Sequence, residues 1–241
     1  MDLDNSGYGA HISQGFNDDL QKLKSQVLEM GGMVESQVAN AVTAITEGDG
    51  LLADHVMKAE LEINNFELQL DEECTRILAL RQPAASDLRM VISVSKIITD
   101  LERIGDESHK IARLARDLSG EEGAPRGLVR TRHIGNLVRM MVQQALDAFA
   151  RFDVGEAFRV VQEDKSVDLE YESAMRQLVT YMMEDPRSIT GVLKVVWALR
   201  ALERMGDHAR NIAQQLIYVV KGKDVRHRKL DQIKQQLLMD E

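Results

Sequence analysis

Apolar residues recur along this chain at spacings of three and four, over stretches much longer than a turn. Val27, Met30, Val34, Val38, Ala41 and Ile45 mark a first stripe, and the period predicts a helix over roughly 16–47. Leu52, Val56, Ile63, Phe66, Leu70 and Ile77 predict a second over roughly 51–81, and Leu88, Val91, Ile98 and Leu101 a third over roughly 86–118. The pattern then repeats over roughly 128–152, 154–184 and 188–221, and a short last helix is expected over roughly 227–238. Three of the breaks fall at the three prolines. Pro83 and Pro186 each separate two long helical stretches, and Pro125 sits in SGEEGAPRG, the strongest breaker cluster of the chain.

The two halves align. Ala44 matches Ala148, Asp49 matches Asp153 and Val56 matches Val160, all 104 residues apart. Beyond the first proline turn the offset falls to 101, because RQPAASD is three residues longer than its counterpart. At that offset Leu101, Glu102, Arg103, Gly105, Asp106, Ile111 and Ala112 recur as Leu202, Glu203, Arg204, Gly206, Asp207, Ile212 and Ala213. The period is too long for a solenoid unit. It predicts an all-α fold of six long helices in two tandem antiparallel three-helix bundles, with residues 1–120 as the first, 128–222 as the second and 223–241 as a tail or short helix.

Composition supports helices and little else. Of 241 residues, 44% are hydrophobic and only 4% aromatic, and good helix formers dominate. The net charge of −9 argues against nucleic acid as a partner. The basic run KGKDVRHRK at 221–229 reads as a solvated helix end or tail. Cys74 is the only cysteine, which fits a reducing compartment. With no run near ~18 apolar residues, membrane insertion is not expected. A soluble protein inside the cell is the expectation.

The chemistry lies in the repeated LERIGD (101–106) and LERMGD (202–207). In each, a Glu and an Asp four residues apart share one helix face. Glu102 and Asp106 share it with Val91 and Ser95, and Glu203 and Asp207 with Val192, Val196 and Leu199, so the acids extend the packing stripe. Carboxylates there are expensive to bury without a compensating charge. In the antiparallel pair joined near 184–188, residue numbers at equal height total about 372. Glu203 and Asp207 then come level with Asp164 and Asp168. In the first half the total is about 167, which sets Glu102 and Asp106 level with Glu60 and Asn64. Glu67 and Asp71 extend that stripe as secondary candidates.

Four oxygen side chains from two helices suit Mg, Mn, Ca or Fe better than thiophilic metals. Asn64 stands where the second copy has a carboxylate, although its carbonyl oxygen can still ligate. Gly105 and Gly206 suggest a close approach by the neighbouring helix, or room for an ion. The plainer reading is that the acid pairs are solvated, with Arg103 and Arg204 as surface partners. A carboxylate-bridged di-metal oxidase is a third reading. It is weakened because none of the six histidines follows a Glu by three residues; His109 follows Asp106 and its second-copy equivalent is Arg210.

The duplicated plan, the two LERxGD motifs, RQPAASDLR at 81–89 and VTYMMEDPR at 179–187 together resemble the PhoU family of bacterial phosphate-uptake regulators, over about residues 11–225. The resemblance implies two similar three-helix bundles, a homodimer, and metal clusters (Fe, Mn, Mg or Zn) held by E/D-x-x-x-D motifs. On this chain those motifs are Glu102, Asp106, Asp164, Asp168, Glu203 and Asp207. It also implies a non-enzymatic cytoplasmic role in negative regulation of the phosphate-starvation response. The implied partners are the ATPase subunit of a phosphate ABC transporter and a membrane sensor histidine kinase.

Overall fold

A computed structural model describes residues 6–120, 127–226, 228 and 230–238. Its helices are α1 (Ser6–Glu47), α2 (Gly50–Arg81), α3 (Ala85–Leu118), α4 (Leu128–Arg151), α5 (Val154–Glu184), α6 (Ile189–Lys221) and α7 (Leu230–Leu238). No strand occurs among the described residues. The fold is therefore the all-helical, duplicated one that the apolar period predicts. The first helix starts at Ser6 rather than near 16, with no proline before that point to prevent it. Pro125 and His227, singled out in the breaker cluster and the basic run, lie outside the described residues.

Matched residues of the two halves build matched turns. Gly48 and its equivalent Phe152 both take left-handed backbone, at φ of 70° and 53°. The next residue folds back, with the N–H groups of Asp49 and Asp153 donating to Ala44 and Ala148 carbonyls at 3.0 Å. These bonds satisfy carbonyls that a helix end leaves bare. The same two aspartates then cap α2 and α5, accepting from the N–H groups of Leu52 and Glu156 at 2.9 Å. Without a glycine's freedom, Phe152 makes its strained turn beneath Lys24, whose Nζ lies 4.3 Å from the ring centre and donates to the Ala150 carbonyl at 2.6 Å.

Each bundle buries one apolar stripe per helix, and the bundles then pack on each other through α1 with α4 and α3 with α6. The α1–α4 contact is reciprocal. A Cβ on Gly31 would come 2.4 Å from Leu146 Cδ2, and one on Gly135 would come 2.6 Å from Val42 Cγ2. Gly31 is equivalent to Gly135 and Val42 to Leu146, so the two contacts are one contact used twice. Glu35 and its equivalent Arg139 meet near the axis at 3.5 Å. Between α3 and α6, buried Glu107 accepts from Lys110 at 3.0 Å and pairs with Arg204 at 3.1 Å. His208 and Asn211 converge on Asp100 at 2.8 and 3.3 Å. Thus α2 and α5 lie outermost, each carrying its acidic face against the third helix of its own bundle.

Candidate metal centre

Helices α5 and α6 bring Asp164, Asp168, Glu203 and Asp207 together. Asp164 is nearly buried, and Glu203 keeps 14% of its side-chain exposure. Burial pushes the carboxyls of Asp164, Asp168 and Glu203 upward, and their mutual repulsion adds to it. Asp207 contributes repulsion to all three. Arginines offset part of this cost. Arg210 Nη1 donates to Asp164 Oδ2, and its Nη2 lies 2.7 Å from Asp207 Oδ1. Burial works against the charge on Arg210, but those two aspartates outweigh it and hold the guanidinium protonated. Arg200 donates to Glu203 Oε1 at 2.8 Å. Glu203 Oε2 is buried and has no hydrogen-bond partner.

In the first half the acid cluster differs from the expected one. Glu102 is pushed upward by burial, then by Asp106 and Glu67. Glu67 is pushed upward by burial, then by Asp71 and Asp106, against the pull of Arg103. The group facing LERIGD is therefore Glu67, with Asp71 beyond it accepting from Ser95 Oγ at 3.1 Å. Glu60 is turned to His109, whose Nδ1 lies against its Oε2. Half-buried Asn64 stands level with the motif, and Glu67, three residues on, supplies the carboxylate that Asn64 lacks.

Side-chain direction accounts for the shift. Helical side chains lean toward the N-terminus of their own helix, so contacts across an antiparallel pair form about one residue later on each helix than backbone height suggests. That offset selects Glu67 with Glu102 and Glu60 with His109. It also selects Asp164 with Arg210 in the second half. The last two pairs are equivalent, and the duplicated chain has kept an acid–base contact there while exchanging His for Arg.

The arginines of the motifs also part company. Arg103 stays with its own motif, 3.5 Å from Glu102 and 3.6 Å from Asp106. Arg204 instead crosses to Glu107 of the other bundle. The motif glycines are not closely pressed. A Cβ on Gly105 would lie 3.5 Å from Ile63, and one on Gly206 would lie 3.5 Å from Val167 and 3.9 Å from Asp164 Oδ1. These are ordinary contacts, so helix approach does not require glycine at either site. Tight glycines lie instead between the bundles, at Gly31 and Gly135, which are equivalent at the 104 offset.

The donors fit a hard cation, being all oxygen, mutually repelling and including one buried carboxylate oxygen without a partner. Among the described residues no three Asp, Glu, His or Cys side chains already stand in a single-ion arrangement. Holding an ion would take side-chain rotation, with Arg210 giving up its aspartates.

Such a protein is a duplicated all-helical bundle with an acidic face between the second and third helix of each copy. The PhoU domain family matches this chain twice, over residues 27–115 and 131–216. The chain belongs to the PhoU family. It is 61% identical over 217 residues to the phosphate-specific transport system accessory protein PhoU homolog of Pseudomonas putida, covering 90% of this chain and 85% of that one. It is 46% identical over 225 residues to the phosphate-specific transport system accessory protein PhoU of Escherichia coli K12, covering 93% of each. The crystal structure of PhoU from Pseudomonas aeruginosa superposes with a TM-score of 0.85 at 58% identity, over 86% of this chain and 100% of that one. PhoU of Streptococcus pneumoniae gives a TM-score of 0.80 at 29% identity, over 87% of this chain and 99% of that one. None of the chain's helices, among the described residues, is long and apolar enough to cross a membrane.

Proposed function

We propose that this protein is a non-enzymatic accessory of phosphate-specific transport that restrains the phosphate-starvation response. It acts from the cytoplasm as a metal-binding adaptor, as a homodimer, between the ATPase subunit of the transporter and a sensor histidine kinase. The transport role follows the names borne by relatives that align with nearly the whole chain. The partnerless buried oxygen of Glu203, set among three further carboxylates, is the observation that carries the metal reading. Asp164, Asp168, Glu203 and Asp207 would hold the ion in the second half. Glu67, Glu102 and Asp106 would do so in the first, with Asp71 in support. Iron, manganese, magnesium and zinc are the candidate ions, and carboxylate oxygens favour the harder ones.

Metal analysis of protein purified without chelator tests the site. The Glu203→Ala, Asp207→Ala double variant should keep its helicity and lose metal; equal content in variant and parent removes the assignment. Capture of the transporter ATPase and the sensor kinase by the full chain tests the adaptor role, as does constitutive phosphatase expression in a deletion strain. Normal repression in that strain would refute it. A second reading, a helical interaction module without metal, gains support from Arg200 and Arg210, which already pair with Glu203, Asp164 and Asp207. Metal-free protein from a chelator-free preparation would favour it.

A further inference from the structure

The described part of the basic run, residues 221–226 and 228, packs back on the bundle. After α6 ends at Lys221 with Gly222 as its left-handed cap, the chain folds back so that Arg226 and Arg228 line a cleft against α5 and α6. The cleft has a volume of about 350 Å³ and is also lined by Lys165, Arg210, Asn211 and Gln214. Four basic side chains therefore ring one concavity on a protein of net charge −9. The opposing charges are Asp164 and Asp168 on its α5 wall.

The four cations are not equally committed. Arg210 is held by Asp164 and Asp207. Asp224 takes Nε and Nη2 of Arg226 and leaves Nη1. Among the described residues neither Lys165 nor the Arg228 side chain has an ion-pair partner. Two uncommitted cations, part of a third and the amide of Gln214 thus approach one volume from three chain segments.

We propose that this cleft binds a small phosphate-bearing anion between Lys165, Arg226 and Arg228, with Gln214 as a neutral donor. Phosphate offers acceptor oxygens in several directions, which suits donors arriving from α5, α6 and the segment before α7. Arginine forks favour such oxyanions. A planar carboxylate presents only two acceptors in one plane. The volume exceeds the needs of bare phosphate and falls at the lower end of small-molecule sites, so there is room for a second phosphate or a nucleoside. The proposed donors Lys165, Arg226, Arg228 and Gln214 are separate from the carboxylate centre, although Asp164, Asp168 and Arg210 border both.

Calorimetric titration of the full, chelator-treated chain at fixed ionic strength tests the proposal, with inorganic phosphate, pyrophosphate and adenosine monophosphate as probes and tricarballylate as a multivalent anion control whose charge is carried by carboxylates alone. The parent should bind at least one phosphate probe and prefer it to tricarballylate. Binding of inorganic phosphate would identify the free ion as sufficient; binding of only the larger probes would identify a terminal phosphate group. The Lys165→Ala, Arg228→Ala double variant should weaken binding ~100-fold, roughly tenfold for each charge-assisted hydrogen bond removed. The surface control Arg187→Ala, whose side chain is 92% exposed, should bind like the parent. No binding of any phosphate probe at millimolar concentration, equal binding of tricarballylate, or an unchanged double variant would overturn the proposal. Metal content measured on the same variants reports separately on the carboxylate centre, because the probes are added to chelated protein.

Discussion

Arg210 holds Asp164 in the second bundle at the place where His109 lies against Glu60 in the first. Duplication preserved the contact but changed its base. Arginine remains protonated throughout the physiological range. The second carboxylate group thus has a permanent internal counter-ion, and any external cation must compete with it.

Removing that counter-ion exposes the competition. Arg210→Ala leaves nearly buried Asp164 without its guanidinium and should destabilise chelated protein by about 1–3 kcal/mol. Added manganese should recover more melting temperature in this variant than in the parent. Thermal melts with chelator and with metal give both numbers, and equal metal responses would contradict the idea.

The raised carboxyl of Glu203 sets a sign for pH dependence. Its folded value lies above the ordinary one because of burial and then the neighbouring aspartates. The fold therefore favours the protonated form, and that stability is present below the ordinary value of about 4.3 and lost as pH rises through the folded value. Glu203→Gln should make chelated protein more stable than the parent at pH 7. The difference should vanish below about pH 4, where the parent is protonated as well. Melting curves across that range decide it.

Glycines of similar appearance should respond in opposite ways. Gly135→Ala sets a methyl against branched, buried Val42 and should cost roughly 1–3 kcal/mol. Val42→Ala in the same chain should recover part of this. Gly206→Ala meets only ordinary contacts and should gain up to ~1 kcal/mol of helix propensity. If the space beside Asp164 is needed for an ion, the same variant will bind metal more weakly. Denaturant unfolding and metal analysis on the two variants separate these effects.

Cys74 should be inert in the native protein. It is buried on α2, and burial, then Asp71 and Glu73, push its thiol up to about 12. A chromogenic disulfide reagent should label it only at the rate of unfolding. Fast labelling in buffer would show local opening of α2.

The helices are legible because the apolar period is sustained between breaks, with Pro83 and Pro186 marking two of them, and because Ala44 to Asp49 and Ala148 to Asp153 encode one turn twice. The level of Asp164 and Asp168 with Glu203 and Asp207 follows from antiparallel counting alone. Height fails where reach matters. It ranks Glu67 behind Glu60 because it ignores side-chain lean, and it leaves Arg210 as no more than the aligned counterpart of His109. The role of Arg204 depends on how the bundles meet, which no pattern within one bundle encodes. The same holds for Arg226 and Arg228, whose position depends on the chain turning back after Gly222.

The reciprocal contact of Gly31 with Leu146 and Gly135 with Val42 has the form of a twofold interface between identical subunits. Here the two subunits are joined end to end in a single polypeptide. A tethered pair needs no meeting in solution, and mutations no longer strike both partners at once. Each copy is then free to drift alone, so that one carries a histidine and an asparagine where its sibling carries an arginine and an aspartate.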